Sequence, residues 1–337
     1  MAIIRAGLLA AAFLFLAAAT AESIGDMLRA VAAVYYAKAG DVENVTGRDT
    51  TMDYYQRLLD DADLLGEPAP SSYPTATWRE YVQTVSQLDL SLASQLLRAS
   101  YQPMAAIRGV GETLVRSSKD GTLQPAALYV PRGYSQVNPA PLVVFLHGRL
   151  QAESHLVAAQ YITGLAEQTG TIVIAPYGRG AYDFRGSESD VYDAFDAANH
   201  AFAIDPRRRY IVGYSMGGFS VFRLAPMHPS DWSAVMSIAG SLLASRAPQV
   251  LAVMRNTRFY LVTGARDDNV PTSFPTATAT FLRDVGLPVA FYSEPNGTHA
   301  LYSLRSILAR AWTDMERGVV RSPVGLTGSP NLPEALP

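Results

Sequence analysis

The pattern that most restricts this chain begins after Pro103, where short apolar runs recur with helical stripes between them. Six runs, Leu142–Leu146, Thr171–Ala175, Tyr210–Tyr214, Ala234–Ile238, Arg258–Thr263 and Val289–Ser293, are apolar along their length instead of alternating with polar residues. A strand wetted on one face alternates, whereas a strand covered on both faces does not. Among the intervening stretches, Val191, Ala194, Phe195, Ala198 and Phe202 form one stripe of helical period. Leu301, Leu304, Leu308, Ala311, Trp312 and Met315 form another. Strands separated by helices predict an α/β fold, a mainly parallel sheet with crossover helices on both faces. Ahead of the six runs, Thr113–Arg116 and Ala126–Val130 flank the turn Lys119-Asp120-Gly121 and read as a hairpin, so eight strands are expected.

Four segments are expected. Residues 1–21 read as an export signal: Arg5 supplies a positive charge, Leu8 to Ala19 is unbroken and apolar, and Ala19-Thr20-Ala21 has the small-x-small cleavage pattern. The apolar run falls short of the ~20 residues that a membrane span needs. The expectation is therefore a secreted or periplasmic protein with no stable membrane anchor, its mature chain starting at Glu22. Residues 22–105 read as a helical segment. Asp49 or Thr50 is placed to cap a helix carrying Met52, Tyr55, Leu58 and Leu59, and Thr75 or Thr77 to start one carrying Trp78, Tyr81, Val82, Val85, Leu88 and Leu92. The segment shows no concentration of chemically active residues. Residues 106–318 hold the sheet, and residues 319–337, rich in Pro, Gly and Ser, read as a flexible tail.

Composition removes several classes of function. With no cysteine in 337 residues there is no disulfide, thiolate metal site, cysteine nucleophile or lipid-modified N-terminal cysteine. No H-E-x-x-H pattern or other close histidine pair is present, so neither a metal nor another cofactor is expected. A net charge of −3, with Arg207–Arg209 as the one short basic cluster, gives no field that would favour nucleic acid.

The chemistry is concentrated at Gly213-Tyr214-Ser215-Met216-Gly217, between an apolar run and a predicted helix. A strand that turns at once into a helix lifts its central serine out of the sheet in a strained conformation, and side chains two residues to either side would strike neighbouring backbone. At the helix N-terminus, dipole and free amides favour a developing negative charge. A serine nucleophile needs a base, and the chain has five histidines. His155, His200 and His228 read as surface or helix-end residues, and His147 ends a strand. His299 follows the last strand on the loop Pro295-Asn296-Gly297-Thr298, at the carboxyl end of a parallel strand, where such sheets place active groups. The base needs an orienting carboxylate. The loop after Arg258–Thr263 offers Asp267 and Asp268, while Gly240-Ser241-Leu242-Leu243 offers none. Backbone amides of Met216 and of Arg149, in the turn His147-Gly148-Arg149, are the expected oxyanion donors, each worth about 3–4 kcal/mol in the transition state. Tyr177, Arg179 and Phe184, on the loop after Thr171–Ala175, are candidate pocket residues.

Residues 106–318, with these elements in the order Ser, Asp, His, resemble the α/β hydrolases. Ile204-Asp205-Pro206-Arg207, Ser215-Met216-Gly217-Gly218 and His228-Pro229 look like secreted esterases of the polyhydroxybutyrate-depolymerase and feruloyl-esterase kind, and like related peptidases of prolyl-oligopeptidase type. The spacing Gly264, Asp267, Val270-Pro271 is similar to the family's acid loop and implies Asp267 as the acid. Arg149 departs from the small residue usual at its position, and residues 22–105 match no standard part of these families. The resemblance implies acyl transfer through Ser215, on a small or polymeric ester. A peptidase with the same triad is the alternative, and a non-catalytic binding module a further one. Against the peptidase, residues 22–105 are too short for the β-propeller gate that such enzymes carry. Against the module stands the complete Ser, His, Asp set.

Overall fold

The computed structural model describes residues 21–70, 73–180, 182–321 and 331–335, so nearly all of the expected export signal lies outside the described residues. The chain runs through α1 (Ala21–Tyr36), α2 (Ala39–Thr46), α3 (Arg48–Gly66), α4 (Thr75–Arg98), β1 (Gly109–Arg116), β2 (Leu123–Val130), β3 (Ala140–Leu146), α5 (Glu153–Ala158) and α6 (Gln160–Thr169). It continues through β4 (Ile172–Pro176), α7 (Glu188–Ala201), β5 (Ile204–Tyr214), α8 (Met216–Leu224), β6 (Ala234–Ile238), α9 (Ala247–Val253), β7 (Arg258–Gly264), α10 (Ser273–Asp284), β8 (Val289–Glu294) and α11 (Arg305–Glu316).

The eight strands form one sheet in the order β1-β2-β4-β3-β5-β6-β7-β8. β2 is antiparallel to both its neighbours, and β3 through β8 pair in parallel. Alternate residues of each strand point to opposite faces. Along β3, Leu142, Val144 and Leu146 join a core with Val191 and Phe195 of α7, Phe222 of α8 and Leu282 of α10. Val143 and Phe145, pointing the other way, join a second core with Ile162 of α6 and Leu308 and Trp312 of α11. Burying both faces explains why the runs are apolar throughout. Each fully buried aliphatic side chain contributes about 1.5–3 kcal/mol.

Helices α1 to α4 have a third core of their own, with Leu28, Tyr35, Tyr54, Leu58, Val82, Val85 and Leu92. They nonetheless sit on the sheet domain. Leu88 of α4 packs in the second core, and Ala158 of α5 packs in the third. Neither Asp49 nor Thr50 caps α3. The helix begins earlier, behind Gly47, and the Thr50 hydroxyl donates to Gln124 Oε1 on β2 at 2.9 Å. α4 begins at Thr75, behind Pro74. Nor is the whole tail loose: Leu332 packs on the first core, and the Pro333 carbonyl accepts the Ala244 N–H at 2.9 Å.

The larger departure is at the junction. Residues 22–105 do carry concentrated chemistry, in a charge cluster visible only once four elements meet. Arg57 of α3 is 7% exposed and donates to Glu153 Oε1 at 2.6 Å, Ser154 Oγ at 2.7 Å and Asp89 Oδ1 at 2.6 Å. Asp61 and Glu112 carboxylate oxygens lie 3.7 Å from its guanidinium. His155 lies in the first turn of α5, at the helix end expected of it, but it is buried instead of exposed, its Nε2 3.0 Å from Asp61 Oδ1. Burial pushes the Glu112 carboxyl well above its ordinary range, and the neighbouring Glu153 charge adds to the effect. Burial also acts to raise Asp61, but His155 and Arg57 outweigh it and hold that group at about 2.

A protein beginning at Ala106 would lose the Arg57 partner of Glu112 and Glu153 and would bare the apolar surface on which Leu88 packs, a loss worth several kcal/mol. We expect that fragment to aggregate or to melt well below the full chain in a thermal scan. An equal melting temperature would show the helical segment to be energetically independent.

Candidate active site

Ser215 sits between β5 and α8 with φ +53° and ψ −117°, in the sparsely populated region of a strained turn. The strain is held from both sides. The Ser215 N–H donates to the Ile238 carbonyl of β6 at 2.8 Å, and its own carbonyl accepts the Phe219 N–H at 3.1 Å, inside α8. The flanking glycines are required by contact. A Cβ on Gly213 would lie 2.0 Å from the Gly217 carbonyl oxygen, and one on Gly217 would lie 2.3 Å from that of Leu146 on β3.

His299 Nε2 is 2.9 Å from Ser215 Oγ. His299 Nδ1 is 3.0 and 2.9 Å from the two carboxylate oxygens of Asp267. A carboxylate only accepts, so Nδ1 carries the proton and Nε2 is left to accept from the serine hydroxyl. Asp267 has no exposed side-chain area, and its Oδ1 also accepts the amides of Asn269 at 3.0 Å and Val270 at 2.8 Å. Asp268 is exposed and makes no bond to His299. The loops that carry Asp267 and His299 are stitched directly together, because the Arg266 N–H donates to the Gly297 carbonyl at 2.8 Å. Sequence reasoning missed Tyr214, whose hydroxyl donates to the His299 carbonyl at 2.7 Å. The only available signal was a tyrosine inside the serine motif.

An open cleft of about 590 Å³ adjoins this arrangement on the Met216 side. Met216, the first residue of α8, and Arg149 both line it, so the two expected oxyanion donors belong to one cavity. Tyr177 lines it too. Arg179 and Phe184 do not. The Arg179 guanidinium is turned to Asp190 and Asp120, with bonds of 2.5 and 2.6 Å, and Phe184 is fully buried against Gly178 and His147. Both side chains are spent on shaping the loop after β4. The opposite wall comes from α3, through Asp53, Gln56, Asp60 and Leu64. Burial, followed by the charge of Asp49, raises the carboxyl of Asp53. Of the remaining histidines, His147 is buried with its ring nitrogens 2.9 and 3.0 Å from the carbonyls of Gly148 and Tyr177, and burial lowers its pKa. His200 and His228 lie away from the serine, on α7 and against Tyr192. Among the described residues, no group of His, Asp or Glu is arranged to hold a metal ion.

The sheet order, the reversed second strand and a strained serine between β5 and α8 define an α/β hydrolase. Residues 121–286, just under half of the chain, match the family model described as "Putative esterase". No curated protein matches the chain. Solved structures that share the fold include a ferulic acid esterase, with 15% identity and a TM-score of 0.54 over 62% of this chain and 98% of that one. A thermostable esterase aligns with 19% identity and a TM-score of 0.52, over 62% of this chain and 63% of its own length. An S-formylglutathione hydrolase from Staphylococcus aureus aligns with 17% identity and a TM-score of 0.50, over 62% and 98%. The fold is that of the α/β hydrolases, and the matched part of the chain is similar to esterases.

Because the contacts at Gly213 are with backbone, no side chain can swing aside to relieve them. Gly213→Ala is expected to lose about 4 kcal/mol or more of stability. Urea unfolding followed by circular dichroism measures this, and an unchanged midpoint would show that the turn can relax.

Proposed function

We propose that this enzyme hydrolyses esters through an acyl-enzyme on Ser215, with His299 as base and Asp267 as its orienting acid. One observation carries the reading: the unbroken hydrogen-bonded chain from Ser215 Oγ through His299 to Asp267, on loops at the carboxyl ends of β5, β8 and β7. Ser215 Oγ attacks the ester carbonyl carbon while His299 Nε2 takes its proton. The developing oxyanion faces the amides of Met216 and Arg149. As the tetrahedral intermediate collapses, His299 protonates the departing alcohol. Water then attacks the acyl carbon while His299 takes its proton, and His299 returns that proton to Ser215 Oγ as the acyl–oxygen bond breaks and the acid leaves. Asp267 holds the imidazole tautomer and stabilises the imidazolium, and its second set of bonds, to Asn269 and Val270, keeps it oriented. The substrate is an ester, free or at the surface of a polymer. The cleft supports this class because it is open and mixes apolar side chains, Leu64, Leu150 and Met216, with polar ones, Asp53, Gln56 and Gln151.

Ester cleavage is favoured over peptide cleavage. An amide has a poorer leaving group and demands tighter positioning on both sides of the scissile bond. The measurement is kcat/KM for short p-nitrophenyl esters beside matched prolyl and alanyl p-nitroanilides. Esters are expected to be far better, and an anilide rate at or above the ester rate would overturn the assignment. In the same assay Ser215→Ala should lower kcat about 10⁶-fold and Asp267→Asn about 10⁴-fold, while Asp268→Asn leaves it near the native value. A collapse at Asp268 alone would move the acid to that residue.

The reading extends to an exported enzyme, supported by Arg5, the apolar run Leu8–Ala19 and Ala19-Thr20-Ala21. N-terminal sequencing of protein recovered outside the cytoplasm should begin at Glu22. Intact Met1 on a membrane-bound form would refute export by cleavage.

A further inference from the structure

Resting on that reading of Ser215, we propose that Arg57 is a positioning residue for the oxyanion loop, setting the Arg149 amide against that of Met216 from a helix outside the sheet domain. The loop runs from His147 at the end of β3 to Ala152, where α5 begins. Leu150 stands at its crest with φ +59°, a backbone conformation unfavourable for a branched side chain, and is 92% exposed, so its burial contributes nothing. Two bonds close the loop on itself, Gly148 N–H to Gln151 Oε1 at 3.2 Å and Gln151 N–H to the Gly148 carbonyl at 3.3 Å. Its direction is set in part at its two ends.

The first end is fixed by β3. The second is α5, a helix of six residues, too short to be stable by itself. Its capping position is Ala152, which has no side-chain oxygen to offer. What holds α5 comes from α3. Arg57 binds Glu153 and Ser154, and Asp61 binds His155, so the first three side chains of α5 are all gripped by one helix of the N-terminal segment. His155 completes the connection, because its Nδ1 accepts the Ala152 N–H at 3.3 Å, at the point where the loop ends. Arg57 is in turn fixed by Asp89 of α4 at 2.6 Å, which ties the loop to the body of the segment. A planar guanidinium with several donors bridges α3, α4 and α5 with fixed directions, which a lysine ammonium cannot do. Apolar packing of the same volume would stabilise such a junction as well or better. Its placement directly behind the loop accounts for the use of charge: the charged bonds fix direction, and direction is what an oxyanion donor requires.

The test uses the full chain and a short p-nitrophenyl ester, with phenylboronic acid as a probe that forms a tetrahedral adduct on the serine. Arg57→Gln is expected to lower kcat about 10²-fold with KM nearly unchanged, and to weaken the boronic acid by a similar factor. Arg57→Lys should recover part of both. A merely structural role would lower the melting temperature and leave kcat and boronic acid affinity native, and that result overturns the proposal. Should Arg57→Gln fail to fold, His155→Leu decides, since it removes the acceptor for Ala152 and the link to Asp61. Native kcat in that variant also overturns the proposal. Ser215→Ala is assayed alongside. If it keeps its turnover, the serine reading fails and this inference with it. If it loses turnover while the Arg57 and His155 variants keep native kcat, the inference alone fails.

Discussion

The close approach of three backbone segments at the serine turn is the constraint on which the remaining geometry depends. β5, β3 and the first turn of α8 meet with no room for a Cβ at Gly213 or Gly217. That contact places Ser215 above the carboxyl edge of the sheet, aims its hydroxyl at the loop after β8, and puts the Met216 amide at the head of a helix. Everything else in the site is arranged around a serine whose backbone cannot shift. Asp267 and His299 reach it on loops whose roots, β7 and β8, are paired in the sheet, with Gly264 opposite Glu294 at the end of the ladder. The positive φ at Ser215 costs on the order of 1–3 kcal/mol, which the two buried apolar cores offset.

Strand positions were legible in the sequence because a doubly covered strand leaves no polar residues to blur it. The six runs after Pro103 correspond to β3 through β8, with ends moved by a few residues, and the hairpin pairs Thr113 with Ala126. The groups nearest the serine were legible for another reason: Ser215, Asp267 and His299 each follow a strand directly, so the topology itself ordered them. Arg57, Asp61, Asp89, Glu112, Glu153 and His155 were not legible. Each looks like an ordinary surface residue in its own helix or strand, and only the packing of α3, α4, β1 and α5 around one guanidinium brings them together. Arg179 and Phe184 failed for a related reason. The loop after β4 was located correctly, but a loop position does not say whether a side chain faces the cleft or braces the loop from behind.

The two parts of the chain divide the work unequally. The sheet domain supplies every reacting atom in the proposed mechanism. The helical segment supplies one wall of the cleft and the cation at the junction. Buried charge makes that union sensitive to geometry in a way that apolar contact is not, since one guanidinium is surrounded by four carboxylates and the carboxyl of Glu112 is pushed up by its burial. A small displacement of α3 leaves a carboxylate facing no partner in a medium of low dielectric.

One consequence follows from the way α3 faces in two directions. Arg57 and Asp61 are held in the junction and also reach the cleft, while the outer row, Asp53, Gln56, Asp60 and Leu64, borders the cleft without entering the hydrogen-bonded chain at Ser215. Mutations along that outer row alter what a bound molecule meets and leave the nucleophile, its base and its acid untouched. That row works as a faceplate: an engineer can build a library on those four positions while Arg57 and Asp61 keep their hold on α5.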